Sequence, residues 1–136
     1  MRKAGFVLAL LFAGLAQAFA APAPQPTLDD VRSLMVGTWQ NADDTRFSRE
    51  LDAGGRSTDR YDGDPSATSH GMWSVFTGAA APAALAGYKF TPNGFYLVLQ
   101  QQNGDVLLFQ LTAASLASME MVYLARGDTQ RFVRLK

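Results

Sequence analysis

The sequence predicts an all-β fold: an eight-stranded antiparallel up-and-down barrel entered through one short helix. Three observations point to it. From Gly37 onward, apolar residues recur with a period of two in short runs. The runs are separated by turn signals such as Gly54-Gly55, Asp62-Gly63, Asn103-Gly104 and Gly127-Asp128. No helical pattern between them is long enough for a βαβ crossover, so strands adjacent in sequence are expected to pair in space.

The chain opens differently. Arg2 and Lys3 precede an apolar run from Ala4 to Ala16, and Ala18-Phe19-Ala20 then offers a small-x-small cleavage site. This is the pattern of a secretory signal peptide over residues 1–20, since the run is too short to span a bilayer. Cleavage after Ala20 leaves 116 of the 136 residues, one small domain able to bury a core. Without Arg2 and Lys3 there remain 10 basic residues against 12 acidic ones, a net charge of −2. That balance argues against nucleic acid or anionic lipid as partners. The chain has no cysteine, which excludes a disulfide scaffold, thiol catalysis, a thiolate zinc site and a lipidated membrane anchor. A monomeric protein of the periplasm, or one secreted beyond it, is the expectation.

Residues 21–26, Ala-Pro-Ala-Pro-Gln-Pro, form a Pro/Ala-rich linker with no apolar periodicity. The domain proper is expected over residues 27–136. Thr27 is placed to cap a helix, with Asp29 and Asp30 in the first turn where carboxylates complement the helix dipole. Leu28, Val31, Leu34 and Met35 share one face, so this short helix can plug one end of a barrel. Strands follow over about 37–41, 46–52, 56–61 and 68–76. The second carries Phe47, Arg49 and Leu51 on one face; the third is unusually polar; the fourth sets Gly71, Trp73 and Val75 opposite His70, Met72 and Ser74. A small-residue loop spans 78–87, and an additional short strand is expected over 88–91. The last four strands are expected over about 95–101, 105–112, 118–125 and 129–135, with Asn103-Gly104 marking the clearest hairpin.

Gly37-Thr38-Trp39 on a first strand after a short helix, with the late basic residue Arg134, resembles the lipocalin signature. The stretch Met121–Arg134 is similar to small exported bacterial lipocalin-like proteins. So is Arg60-Tyr61-Asp62-Gly63-Asp64 followed by Gly71-Met72-Trp73. The resemblance implies that Trp39 lies across the closed end of the barrel with the arginine on its face, and Arg131 is the alternative partner if the last strand has the other phase. It also implies a barrel that either fills itself with side chains or holds one small molecule.

Candidate chemistry is sparse. His70 is the only histidine and has no nucleophile or metal-ligand partner at a useful spacing, so an ordinary strand position is expected. Asp59, Asp62 and Asp64 cluster at one turn, but the glycine falls in the wrong place for a calcium loop and no bidentate glutamate follows; a solvated hairpin tip is expected. Arg126-Gly127-Asp128 reads as turn chemistry. No catalytic residue, metal or cofactor is expected. A binding pocket is expected at the open end, drawing on Arg49, Arg60, Tyr61, Trp73 and Tyr96, with Tyr123 as a further candidate. Phe47, Leu51, Leu97, Leu99, Leu107 and Phe109 are expected inside, and Gly71 is expected to leave space beside Trp73. The leading functional expectation is a carrier of a small apolar molecule. The alternative is a protein-binding module, such as a hydrolase inhibitor, contacting its partner through the 78–87 loop. An enzyme ranks last, because no nucleophile–base pair is found.

Overall fold

The computed structural model describes residues 25–136, together with the backbone of Leu10–Leu11. The expected signal peptide and linker therefore lie mostly outside the described residues. The exceptions are Gln25 and Pro26, and Leu10–Leu11, whose backbone pairs antiparallel with Ala113 and Ala114.

Helix α1 covers Leu28–Met35. Its first turn is closed by a capping box: Asp30 N donates to Thr27 Oγ1 at 3.0 Å, and Thr27 N donates to Asp30 Oδ2 at 3.2 Å. Val31 and Met35 are fully buried and face the barrel interior. Val36 then turns extended and delivers the chain into the sheet.

Eight strands follow: β1 Gly37–Asn41, β2 Phe47–Leu51, β3 Arg56–Tyr61, β4 Ser69–Thr77, β5 Phe95–Gln101, β6 Val106–Ala114, β7 Ser118–Tyr123 and β8 Asp128–Arg134. Each pairs antiparallel with its neighbour in sequence, and β8 pairs with β1 through Trp39↔Arg134, Gln40↔Val133 and Asn41↔Phe132. This last pairing closes an up-and-down barrel, as the hairpin spacing predicts. Closure leaves none of the eight with the open ladder edge that would invite pairing with another chain. The additional strand expected over 88–91 is absent; those residues are irregular. Gly55, Gly63, Gly104 and Gly127 all sit in turns at positive φ, which explains why the tight connections fall where the sequence marks them.

The interior is one cluster containing Trp39, Leu51, Trp73, Leu97, Leu99, Phe109, Leu111, Met119, Met121 and Phe132, with Phe47 and Leu107 packed against it. A second cluster lies on the outer wall. Phe76, Tyr96, Val98 and Leu108 point outward and are covered by Ala81, Leu85 and Phe90 from the 78–94 connection and by Leu124. Strand β5 is therefore buried on both faces from Phe95 to Leu99. Its unbroken apolar run needs that second cover.

Candidate functional site

The two ends of the barrel differ because the helix closes only one. At the closed end Trp39 is fully buried, and its Nε1 donates to the Met35 carbonyl at 2.9 Å. The Arg134 guanidinium lies 4.3 Å from the centre of the indole. Its Nη1 donates to the Val36 carbonyl at 2.8 Å, Nη2 to the Leu34 carbonyl at 2.6 Å, and Nε to the Leu116 carbonyl. Partial burial lowers its pKa from the ordinary arginine range. Gly37 completes the arrangement: it has a φ of 151°, and a Cβ there would collide with Arg134 Nη1. The structure thus brings Gly37, Trp39 and Arg134 together. Arg131 instead pairs with Glu120 on the outside, at 3.1 Å.

The opposite end holds a cavity of about 650 Å³. Its walls are Phe47, Leu107, Phe109 and Tyr123; Arg49 lies at its inner side; Asp44, Tyr61, Arg126 and Asp128 stand around the mouth. Two turns build that mouth. In the β1–β2 turn, Asn41 Oδ1 accepts from the backbone N–H groups of Asp43 and Asp44, and Asp44 in turn accepts from the Tyr61 hydroxyl at 3.0 Å. In the β7–β8 turn, Gly127 takes a positive φ and Arg126 pairs with Asp128 at 3.4 Å. Burial, followed by the hydrogen bond to Asp44, raises the Tyr61 phenol above its ordinary pKa of 10.0, against the opposing charge of Arg46.

Arg49 is the chemically distinctive member. It is only 3% exposed, projects from β2 on the same face as Phe47 and Leu51, and forms a two-pronged ion pair with Asp59 of β3. Nε donates to Asp59 Oδ1 at 2.8 Å and Nη2 to Oδ2 at 2.9 Å. The guanidinium carbon stands 5.3 to 5.6 Å from the ring centres of Phe47, Phe109 and Phe132. Its remaining nitrogen, Nη1, is buried and has no hydrogen-bond partner among the described residues.

Of the residues expected in the pocket, Arg49, Tyr61 and Tyr123 line the cavity. The others do not. Arg60 lies on the outside, where it pairs with Glu50 at 2.9 Å, because the pleat turns it away from the face that carries Tyr61. Trp73 does point inward, but toward the helix end: its Nε1 donates to the Asp52 carbonyl at 2.9 Å and Arg32 of α1 lies 4.8 Å from its ring centre. Tyr96 belongs to the outer cluster. It stacks on Phe76 at 5.5 Å, and its hydroxyl accepts from Thr91 N at 2.8 Å. Gly71 leaves no void beside Trp73; a Cβ there would collide with the Gln100 carbonyl and approach Gln101 Oε1.

Two acidic residues at this end were not legible as site residues. Asp59 is 7% exposed inside the barrel and not at a solvated tip. Its alternation with Ser57 and Tyr61 along β3 is the signal that identifies it. Asp44 lies in the turn between β1 and β2, and no strand alternation marks it in the sequence. The 78–87 loop turns Ala81 and Leu85 onto the barrel wall and leaves Tyr88, just beyond it, exposed. Among the described residues no group of acidic or histidine side chains is arranged to hold a metal ion, and His70 is exposed beside Thr58. Comparison of the chain with protein-family models, curated proteins and solved structures found no match.

Proposed function

We propose that this chain is an exported, lipocalin-like, non-catalytic binding protein that carries one small apolar molecule in the open end of its barrel. The observation that supports this reading is the cavity of about 650 Å³ opposite Trp39. It falls within the roughly 300–1,000 Å³ typical of small-molecule sites, and it combines an apolar wall with a few convergent polar groups. The helix and the Trp39–Arg134 stack block the other end, which leaves a single mouth. Export rests on the signal-peptide pattern of residues 1–20, and the chain would work in the periplasm or beyond it.

The test is displacement of a fluorescent hydrophobic probe from the purified protein, paired with a variant that fills the cavity. Leu107→Trp places an indole in the apolar wall between β5 and β7. Saturable probe binding to the natural protein, lost in Leu107→Trp with the thermal transition retained, is the expected result. Equal probe binding by both proteins would reject the cavity as the site. Native mass spectrometry of protein purified from its own host would then show the mass of what it carries.

A further inference from the structure

We infer that the carried molecule presents a neutral acceptor oxygen, the carbonyl of a ketone or ester or the oxygen of an alcohol, to Nη1 of Arg49, and that the site discriminates against carboxylates. The inference rests on the cavity reading above and adds the chemistry of the ligand's head.

The argument starts from what Arg49 has already spent. Two of its three nitrogens are committed to Asp59 at 2.8 and 2.9 Å. Only Nη1 remains, without a partner among the described residues and covered by its neighbours, on a side chain that lines the cavity, so a ligand oxygen reaches it by displacing a ring packed over it. An arginine nitrogen can donate and cannot accept, so what it binds must supply a lone pair. Three phenyl rings, those of Phe47, Phe109 and Phe132, surround the guanidinium and exclude most other protein partners. A donor left bare in such a place is costly, and an oxygen on an otherwise apolar molecule satisfies it.

Charge decides between a neutral and an anionic head. Asp59 already compensates Arg49, so the buried pair is formally neutral. A carboxylate brought beside it would be a second negative charge sharing one cation, with no further cation inside the barrel at that end among the described residues. The mouth does not help: Asp43, Asp44 and Asp128 stand there against Arg126 and Arg46, which are already paired with Asp128 and Asp44. An anion would therefore lose its hydration for a cation already neutralised, at a mouth with excess negative charge. A carbonyl or hydroxyl oxygen loses far less and gains a charge-assisted hydrogen bond. This fits a head-inward pose, with the oxygen at Arg49 and the apolar body running past Phe109, Leu107 and Tyr123 toward the mouth.

The experiment compares three ten-carbon probes, decane, decan-2-one and decanoate, by isothermal titration at neutral pH. It uses the natural protein and the double variant Arg49→Met/Asp59→Leu, which removes the donor and its counter-ion together and leaves no buried charge. The expected result is that decan-2-one loses about tenfold to hundredfold in affinity relative to decane on going to the double variant. Decanoate should be the weakest of the three for the natural protein. An unchanged ratio of ketone to alkane, or decanoate binding tightest, overturns the inference while leaving the cavity reading intact. Failure of all three probes to bind rejects the cavity reading, and the inference with it. Should the double variant not fold, nitrogen-15 NMR of the natural protein decides. The Arg49 side-chain resonances should shift with decan-2-one and not with decane, and identical spectra with the two probes overturn the inference.

Discussion

Each end of the barrel holds an arginine among aromatic rings, and the two are used differently. At the closed end Arg134 lies on the Trp39 indole and gives all three nitrogens to backbone carbonyls of Leu34, Val36 and Leu116. These carbonyls belong to the end of α1, its exit and the β6–β7 turn, so one side chain ties three segments together. At the open end Arg49 is the more deeply buried of the two, yet it holds only Asp59, and its third nitrogen is buried beside the cavity without a hydrogen-bond partner among the described residues. An arginine saturated by carbonyls fastens chain segments; an arginine saturated on two sides and bare on the third is suited to reading a ligand. The comparison also assigns different risks. Loss of Arg134 unties backbone, whereas loss of Arg49 together with Asp59 removes a desolvated pair and leaves no uncompensated charge behind.

That difference can be broken experimentally. The largest effects should come from removing Trp39 at the closed end or Asp59 at the open end. Trp39→Ala takes a fully buried indole from the plug and should cost about 3–5 kcal/mol in urea denaturation. Against a stability of about 5–15 kcal/mol for a small domain, this brings the protein close to unfolding. Asp59→Ala leaves the Arg49 guanidinium buried and uncompensated and should cost a similar 3–5 kcal/mol by the same measurement. The decisive contrast is Arg49→Met/Asp59→Leu, for which the denaturation midpoint should stay level or rise. A fall as large as that of Asp59→Ala would mean the open-end pair is structural after all.

Arg134→Met should cost less, about 1–3 kcal/mol, because the carbonyls it abandons are only partly buried and water can reach some of them. Probe binding at the far end should be unchanged; a change there would show that the two ends are not independent. The smallest effect concerns Tyr61. Its phenol is raised above 10.0 first by burial and then by the bond to Asp44. Folding therefore favours the neutral form, and this contribution is complete below pH 10.0 and lost as pH rises through the folded-state value. Asp44→Asn should move the phenolate absorbance transition of Tyr61 downward, without an unfolding transition at neutral pH.

The barrel was legible in the sequence because its determinants are local. Four of the turns carry a glycine, at 55, 63, 104 and 127, and each has the positive φ that favours it. Alternation on β2 also gives the correct face for Phe47, Arg49 and Leu51. The site was less legible, for three separate reasons. A period of two forbids Arg60 and Tyr61 from sharing a face, so reading both into one pocket asks more of β3 than a pleated strand allows. Trp73 has the right face but the wrong depth, because alternation gives no height along the barrel axis. Tyr96 sits in a run buried on both sides, where alternation carries no signal at all. Its position depends on the 78–94 connection folding back over the wall, a long-range event with no marker in the strand itself.

That folded-back connection has a consequence for how the barrel breathes. Strand β5 is sealed between the interior and the outer cluster, so its amides from Tyr96 to Leu99 can meet solvent only when the whole domain opens. The staves β1, β2, β7 and β8 contribute no side chain from within their own spans to that outer layer, and they carry the two turns that frame the mouth. Fluctuations that widen the mouth are thus expected on the side of the cylinder that lacks the outer layer, with the covered side the more rigid. On the carrier reading proposed above, exchange of a guest would then be a local process uncoupled from global unfolding.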